Sequence, residues 1–335
     1  MRYRHLTSRI PVAILGAGAM GQRHARVLAG LVERFELVGV FDARREAASA
    51  VASTWGTAAF DSEADAIACS ELLVIATPNA AHASAAAAAL TAGRHVLVEK
   101  PICSTAAEAQ ALVALETKTG ARIFVGHSER FNPVVRVLAR VLRGQEVLAL
   151  DFTRVGVRTQ PALAGTHDGG VLVNLAVHDL DLAAYLTGSP VQVRSASGRS
   201  LSGLHARGAA EDLAHVLLTT GAGAPGHIYV DRTAPKKRRS LAVVTQRWTY
   251  DADLLAHRLT RTTRATGEFT EMPLPVDEPL VAQALAVADA LGRGGERPRL
   301  EIAVGRDGAL ALALAERAAL YVREPRERVL LAENL

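Results

Sequence analysis

The sequence predicts an α/β chain in two parts: a doubly wound parallel sheet, then an α+β domain with an open sheet of antiparallel or mixed strands. Three observations carry that expectation. Short apolar runs alternate with helical stretches through the first third of the chain. A glycine-rich loop joins the first run to the first helix. Beyond residue 127 strand-like runs follow one another, mostly with turns between them.

The apolar runs of the first part are Val12–Leu15, Leu37–Phe41, Leu72–Ala76, His95–Val98 and Arg122–Val125. Nearly continuous apolar character, rather than alternation, suits strands covered by helices on both faces. Between them Ala19–Leu31, Arg44–Thr54, Ala80–Ala92 and Thr105–Thr119 read as helices, with Gly93 and Gly120 at two of their ends. A helix over Pro133–Leu142 carries proline in its first turn. Strand-like runs then occur at Val147–Val157, Val191–Leu201, Asp212–Thr220, His227–Arg232, Leu241–Thr249 and His257–Arg264. A helix over Gly170–Leu186 interrupts them, and helices over Leu280–Leu291 and Gly305–Val322 follow. The join falls at residues 126–130, giving domains at 1–127 and 128–335.

Composition narrows the function. A length of 335 residues suits two domains, and 49% apolar with 21% charged residues is ordinary for a soluble globular chain. Aromatics at 4% do not support a nucleic-acid binder built on stacked rings, and a net charge of +4 is too small to mark one. Two cysteines, Cys69 and Cys103, exclude a disulfide framework and fit a reducing, cytoplasmic setting. No apolar stretch is long enough for a membrane span, and the N-terminal apolar run leads into glycines without a signal-peptide cleavage pattern. The histidines His5, His24, His82, His95 and His127 are scattered without metal-ligand spacing, so no metal is expected.

The loop Gly16-Ala-Gly18-Ala19-Met20-Gly21 follows the first strand and opens the first helix. Glycines there allow a tight turn and close approach of a pyrophosphate, while the helix N-terminus supplies free N–H groups. Asp42, at the end of the second strand, stands where a carboxylate binds the adenosine ribose, which favours NAD. Arg44 and Arg45 follow it and could attract the extra phosphate of NADP. A solvated helical turn is their other reading.

Strand carboxyl ends are where ligands sit in such a sheet. Thr77-Pro78-Asn79 follows the third run and Glu99-Lys100-Pro101 the fourth, which places both on the cofactor edge. His82 follows on that edge, and with Glu99 it counts among the expected cofactor-binding positions. Lysine is rare in this chain, at four positions, so Lys100 stands out. A second cluster runs from the pair Gly169-Gly170 to Asn174, His178, Asp179 and Asp181, with Asn174 and His178 one helical turn apart. A third, Gly126-His127-Ser128-Glu129-Arg130-Phe131-Asn132-Pro133, lies at the domain join. The run Lys236–Arg239 reads either as a solvated face or as a diphosphate contact.

Gly16–Gly21 followed by His24, then Glu99-Lys100-Pro101, then the glycine pair leading to Asn174 and His178, resemble the glucose–fructose oxidoreductase / inositol dehydrogenase / MocA family. The resemblance covers nearly the whole chain. It implies an N-terminal Rossmann domain, then a substrate-binding and oligomerisation domain with a large open, mostly antiparallel sheet. It implies Lys100 and His178 as catalytic residues flanking a sugar or cyclitol carbon, NAD or NADP as cofactor, and a homodimer or homotetramer. Many members carry aspartate four residues before the histidine, where this chain has Asn174. Asn174, Val125–Pro133, Arg154-Val155-Gly156, Leu175–Gly188 and Pro235–Arg238 are similar to the UDP-N-acetylglucosamine 3-dehydrogenase group. That group oxidises the sugar 3-hydroxyl to a ketone. On that likeness Asn174, Arg130, Asn132, Arg154, Lys236 and Lys237 are expected to bind the substrate. The alternatives are a dehydrogenase of a free sugar, sugar phosphate or cyclitol, and a cofactor-sensing regulator without turnover. The pairing of Lys100 with His178 argues against the regulator.

Overall fold

The computed structural model describes residues 9–157, 170–201, 210–293 and 301–323, so Gly169, first of the glycine pair, lies outside the described residues. In chain order the elements are β1 (Ile10–Leu15), α1 (Ala19–Gly30), β2 (Phe35–Phe41), α2 (Arg45–Trp55), β3 (Ala58–Ala59), α3 (Glu63–Cys69), β4 (Leu72–Ile75), α4 (His82–Thr91), β5 (His95–Val98), α5 (Ala106–Thr119) and β6 (Ile123–Val125). There follow α6 (Pro133–Val141), β7 (Val147–Val157), α7 (Val177–Thr187), β8 (Val191–Arg199), β9 (Leu213–Thr220), β10 (Pro225–Ala234), β11 (Arg238–Thr245), β12 (Trp248–Asp253), β13 (Arg258–Thr263) and β14 (Phe269–Glu271). The last are α8 (Pro279–Ala288), β15 (Ala303–Val304) and α9 (Gly305–Arg323).

Two compact units divide the chain, Met1–Asn132 with Val276–Leu312, and Pro133–Pro275 with Ala313–Leu335. In the first, the strand order is β15-β6-β5-β4-β1-β2-β3, parallel throughout except for β15 against β6. The order reverses between β1 and β4, and a crevice for ligands forms at the carboxyl ends of strands at such a point. Ile10, Val12, Ile14, Leu72, Val74, Leu97 and Phe124 form the core with Ala25 and Leu28 of α1. Leu280, Ala284, Val287 and Ala288 of α8 join the same core. This burial is why Val276–Leu312 belongs with the first unit, whereas the sequence reading assigned everything from residue 128 onward to the second.

The second sheet runs β14-β13-β12-β11-β7-β10-β9-β8, with β7 and β10 parallel and the other pairs antiparallel. Its strands alternate: in β9, Ala214, Val216 and Leu218 are buried while His215 and Leu217 face solvent. The buried face packs against Val134, Val135 and Leu138 of α6 and Leu180, Leu182 and Ala183 of α7, with Leu314, Ala315 and Ala318. The run Leu241–Thr249, expected as one strand, is a hairpin. β11 and β12 pair Val244 with Thr249, and the Thr245 hydroxyl accepts the Trp248 N–H at 3.2 Å. No glycine, asparagine or aspartate marks that turn in the sequence. The helix expected over Gly170–Leu186 begins as a π-helical turn, Leu172–Ala176, before α7 proper.

Among the described residues no helix is long and apolar enough to cross a membrane, and no group of three or more His, Cys, Asp or Glu side chains could hold a metal ion.

Candidate active site

The glycine loop sits at the switch between β1 and β4. Gly16 has φ +98°, and a Cβ there would stand 2.6 Å from the Ala76 carbonyl oxygen. A Cβ on Gly21 would lie 1.8 Å from the Gly16 carbonyl oxygen, so the first helical turn is pressed against the loop as only glycine permits. Gly18 precedes α1 without a side-chain cap, and a Cβ there would meet nothing within 4 Å. The N–H groups of Ala19 and Met20 thus begin a helix whose end is left to a ligand.

Asp42 closes the loop from the side. Its carboxylate accepts the Ala17 N–H at 2.7 Å and the Arg44 N–H at 2.9 Å. Burial pushes its pKa up, but those two hydrogen bonds and the Arg44 charge outweigh it, and the net shift is downward. The group is therefore ionised at neutral pH, with lone pairs left for a ribose. Of the two arginines, Arg45 is held by Asp61 while Arg44 is exposed, its Nε 3.6 Å from Asp42.

The second wall is made by the turns after β4 and β5. In Thr77-Pro78-Asn79 the Thr77 hydroxyl is buried with no hydrogen-bond partner among the described residues. Such an orphan costs free energy unless a ligand meets it. Together with the uncapped helix, the open space at Gly18 and the charged Asp42, it makes this edge fit a dinucleotide. Lys100 is half-buried in the turn after β5 and is joined to Pro101 by a cis peptide bond.

Two positions expected to touch cofactor are engaged elsewhere. Glu99 is 8% exposed; one oxygen lies 2.8 Å from His24 Nε2, and the other accepts the Lys100 N–H at 3.3 Å. His82 is 1% exposed, and its ring nitrogens lie 2.8 Å and 2.9 Å from the Pro101 and Thr77 carbonyl oxygens. Both side chains face protein because backbone and histidine partners already take their polar atoms. The partnership of Glu99 with His24 escaped the sequence reading. The signal was present: His24 falls on the buried face of α1 with Gly21, Ala25 and Leu28, an unusual place for a polar ring. Gly126 serves the same carboxylate, since a Cβ there would sit 2.9 Å from it.

In the second unit Asn174 lies in the π-helical turn, its N–H donating to the Gly170 carbonyl at 3.0 Å, and His178 lies in the first turn of α7. Such turns inside helices recur at functional sites. The buried Glu211 anchors this entry by accepting the Leu172 N–H at 3.0 Å. Its carboxylate passes so close to Gly170 that a Cβ there would overlap it at 1.9 Å, which explains one of the two glycines.

Arg154, expected to bind the substrate, is 2% exposed and forked onto Asp179, with Nε 2.9 Å and Nη2 2.7 Å from the carboxylate oxygens. The sequence places Asp179 in the cluster around His178 but does not show its pairing with Arg154, which lies on another element. Arg130 and Asn132 are buried too, and Arg130 donates to Asp307 at 3.2 Å. Lys236 and Lys237, by contrast, are exposed in the connection between β10 and β11.

Comparison with known proteins agrees with this geometry. Residues 10–127 match the family model described as oxidoreductase family, NAD-binding Rossmann fold, and residues 146–251 match the GFO/IDH/MocA C-terminal domain. The chain is 30% identical over 279 residues to UDP-N-acetylglucosamine 3-dehydrogenase of Acidithiobacillus ferrooxidans, covering 83% of this chain and 84% of that one. Inositol 2-dehydrogenase of Rhizobium meliloti is 29% identical over 66% of this chain and 68% of its own. A solved structure of the Acidithiobacillus enzyme superimposes with a TM-score of 0.84 at 25% identity, covering 94% of this chain and 98% of that one. The chain belongs to the GFO/IDH/MocA family, an oxidoreductase whose first domain is an NAD-binding Rossmann fold.

Proposed function

We propose that this oxidoreductase takes a hydride from the 3-carbon of a UDP-linked 2-acetamido sugar. The observation that carries the reading is Lys100, half-buried on the strand-end edge that bears the glycine loop, in a chain 30% identical over 279 residues to a UDP-N-acetylglucosamine 3-dehydrogenase. Bound NAD⁺ supplies the two-electron acceptor. As the C–H bond breaks with its electron pair, the hydroxyl proton must leave so that the C–O bond becomes a carbonyl. His178 is the base for that proton, and Lys100 binds the hydroxyl oxygen and relays charge. A free lysine, with a pKa of about 10.4, is a poor base at neutral pH, which favours this division. Asn174 cannot ionise and orients the sugar through hydrogen bonds. With Arg154 committed to Asp179, the exposed Lys236 and Lys237 are the cations to hold the diphosphate. The exposed face of the large sheet, where Leu217 is 52% exposed, is the surface for self-association into a dimer or tetramer.

A panel of nucleotide sugars, free sugars, sugar phosphates and cyclitols, with NAD reduction followed optically, tests the substrate. The UDP-linked 2-acetamido sugar should show a far higher kcat/KM than the free sugar. Both kcat and KM should suffer on truncation, because remote binding energy positions the reacting carbon. Product NMR should show a 3-keto sugar; a ketone at C4 or a carboxylate at C6 would refute the regiochemistry. Equal rates with free myo-inositol would move the assignment to the cyclitol reading that the Rhizobium relative represents.

Calorimetry with both dinucleotides should show NAD(H) binding more tightly than NADP(H). Asp42 stays charged, and Arg45 is occupied by Asp61. Tighter NADP(H) binding would mean that Arg44 overrides the carboxylate.

A further inference from the structure

We propose that His82 is a positioning residue for Lys100, a clasp that fixes the spacing of the two turns beyond β4 and β5. The proposal rests on Lys100 acting in the reaction as described above. The β4–β5 ladder ends with Ile75 opposite Val98, and Glu99 N–H still donates to the Ile75 carbonyl at 2.9 Å. One residue further the strands have become turns, Thr77–Asn79 on one side and Lys100–Pro101 on the other. The first residue of α4 then supplies the next connection. His82 Nδ1 is 2.8 Å from the Pro101 carbonyl oxygen and Nε2 is 2.9 Å from that of Thr77. Both partners are acceptors, so either tautomer donates to one turn and a doubly protonated ring to both.

A rigid imidazole buried between two carbonyls sets their separation to the width of the ring. It offers no free nitrogen to a ligand and is 1% exposed, so its effect on the reaction must pass through the turns it holds. Pro101 follows Lys100 directly, and Thr77 precedes Asn79 by two residues. Loss of the ring would take away the donor of at least one carbonyl and the spacer between both, so the two turns would be free to shift. The Lys100 backbone would move with the Pro101 side. A misplacement of about 1 Å is enough to cost on the order of 10²-fold in rate. Dinucleotide affinity, which comes from the glycine loop and Asp42, should hardly change.

The test compares full-length wild type, His82→Ala and His82→Gln. Amide hydrogen exchange is read by mass spectrometry in the unliganded protein, NADH affinity by calorimetry, and turnover with the substrate found in the panel. In His82→Ala, exchange across residues 77–82 and 99–103 should quicken at least about tenfold through lost protection. The kcat should fall about 10- to 100-fold. NADH affinity should stay within about threefold, because the dinucleotide's anchors lie elsewhere. His82→Gln, whose amide N–H can still reach one carbonyl, should recover part of kcat. Unchanged exchange in both segments would overturn the proposal, as would NADH affinity falling as far as kcat, or glutamine doing no better than alanine. If Lys100→Ala kept its rate, the proposed chemistry would fail while the exchange result still stood, so the two failures are separable.

Discussion

Replacing Lys100 by alanine should lower turnover by about 10²- to 10⁴-fold, the usual worth of a positioned proton-transfer group. The loss belongs in kcat. Dinucleotide affinity should survive, because the anchors lie elsewhere: the uncapped start of α1, the close-packed Gly16 and Gly21, and Asp42 held by the Ala17 and Arg44 N–H groups. Stopped-flow NADH binding and steady-state kinetics on one preparation separate the two quantities. A mutant turning over at near wild-type rate would remove Lys100 from the mechanism. A mutant that lost NADH binding in step with kcat would make the side chain a cofactor ligand instead. Glu99 and His24 give the prediction its sharpness. They hold the turn through Glu99 and the Lys100 N–H, so truncating the side chain leaves the backbone support in place.

Asp179→Ala should cost about 3 to 5 kcal/mol of stability, as breaking one side of a buried ion pair does. Arg154 is among the largest fully buried side chains, and Asp179 meets it with both carboxylate oxygens. Taking away that bidentate partner removes the carboxylate that faces a buried guanidinium. Urea unfolding should show the midpoint shift. The double replacement Arg154→Met with Asp179→Leu should be much less harmful than either single change, since an apolar pair of similar volume removes the desolvation cost along with the attraction. A single mutant within about 0.5 kcal/mol of wild type, the range of an ordinary surface change, would show that the pair contributes little. The pair joins β7 to the turn of α7 that carries His178, so its loss should loosen that turn as well.

How far the sequence could be read depended on the distance over which each feature is decided. β5 and β7 coincide with the apolar runs His95–Val98 and Val147–Val157, because strand character there is a local property of the side chains. β3 and β15, two residues each, and β14, three, are too short to carry any periodicity. The β11–β12 hairpin was fused into one strand because its turn residues, Gln246 and Arg247, are not turn formers. The same division runs through the site. The glycine loop, Asp42 and the Glu99-Lys100-Pro101 turn were legible because each is a contiguous motif beside a strand end. The pairing of His24 with Glu99, 75 residues apart, was not, nor was that of Arg154 with Asp179, 25 apart. Glu99 and Arg154 were assigned to ligands because a charged group near a motif looks available until its tertiary partner is known.

The return of Val276–Leu312 to the first unit bears on how the chain is made. The nucleotide-binding sheet includes β1, near the start of the described residues, yet part of its covering, Leu280, Ala284 and Val287, is encoded more than a hundred residues after β6. Until that segment emerges, the apolar surface that it covers in this unit stays exposed. The second unit is likewise interrupted, its core awaiting Leu314, Ala315 and Ala318. Each core is therefore complete only once residues well beyond β14 have been made. A genetic dissection at residue 127 would sever the first unit from part of its own interior, while both segments of the second would stay on one piece.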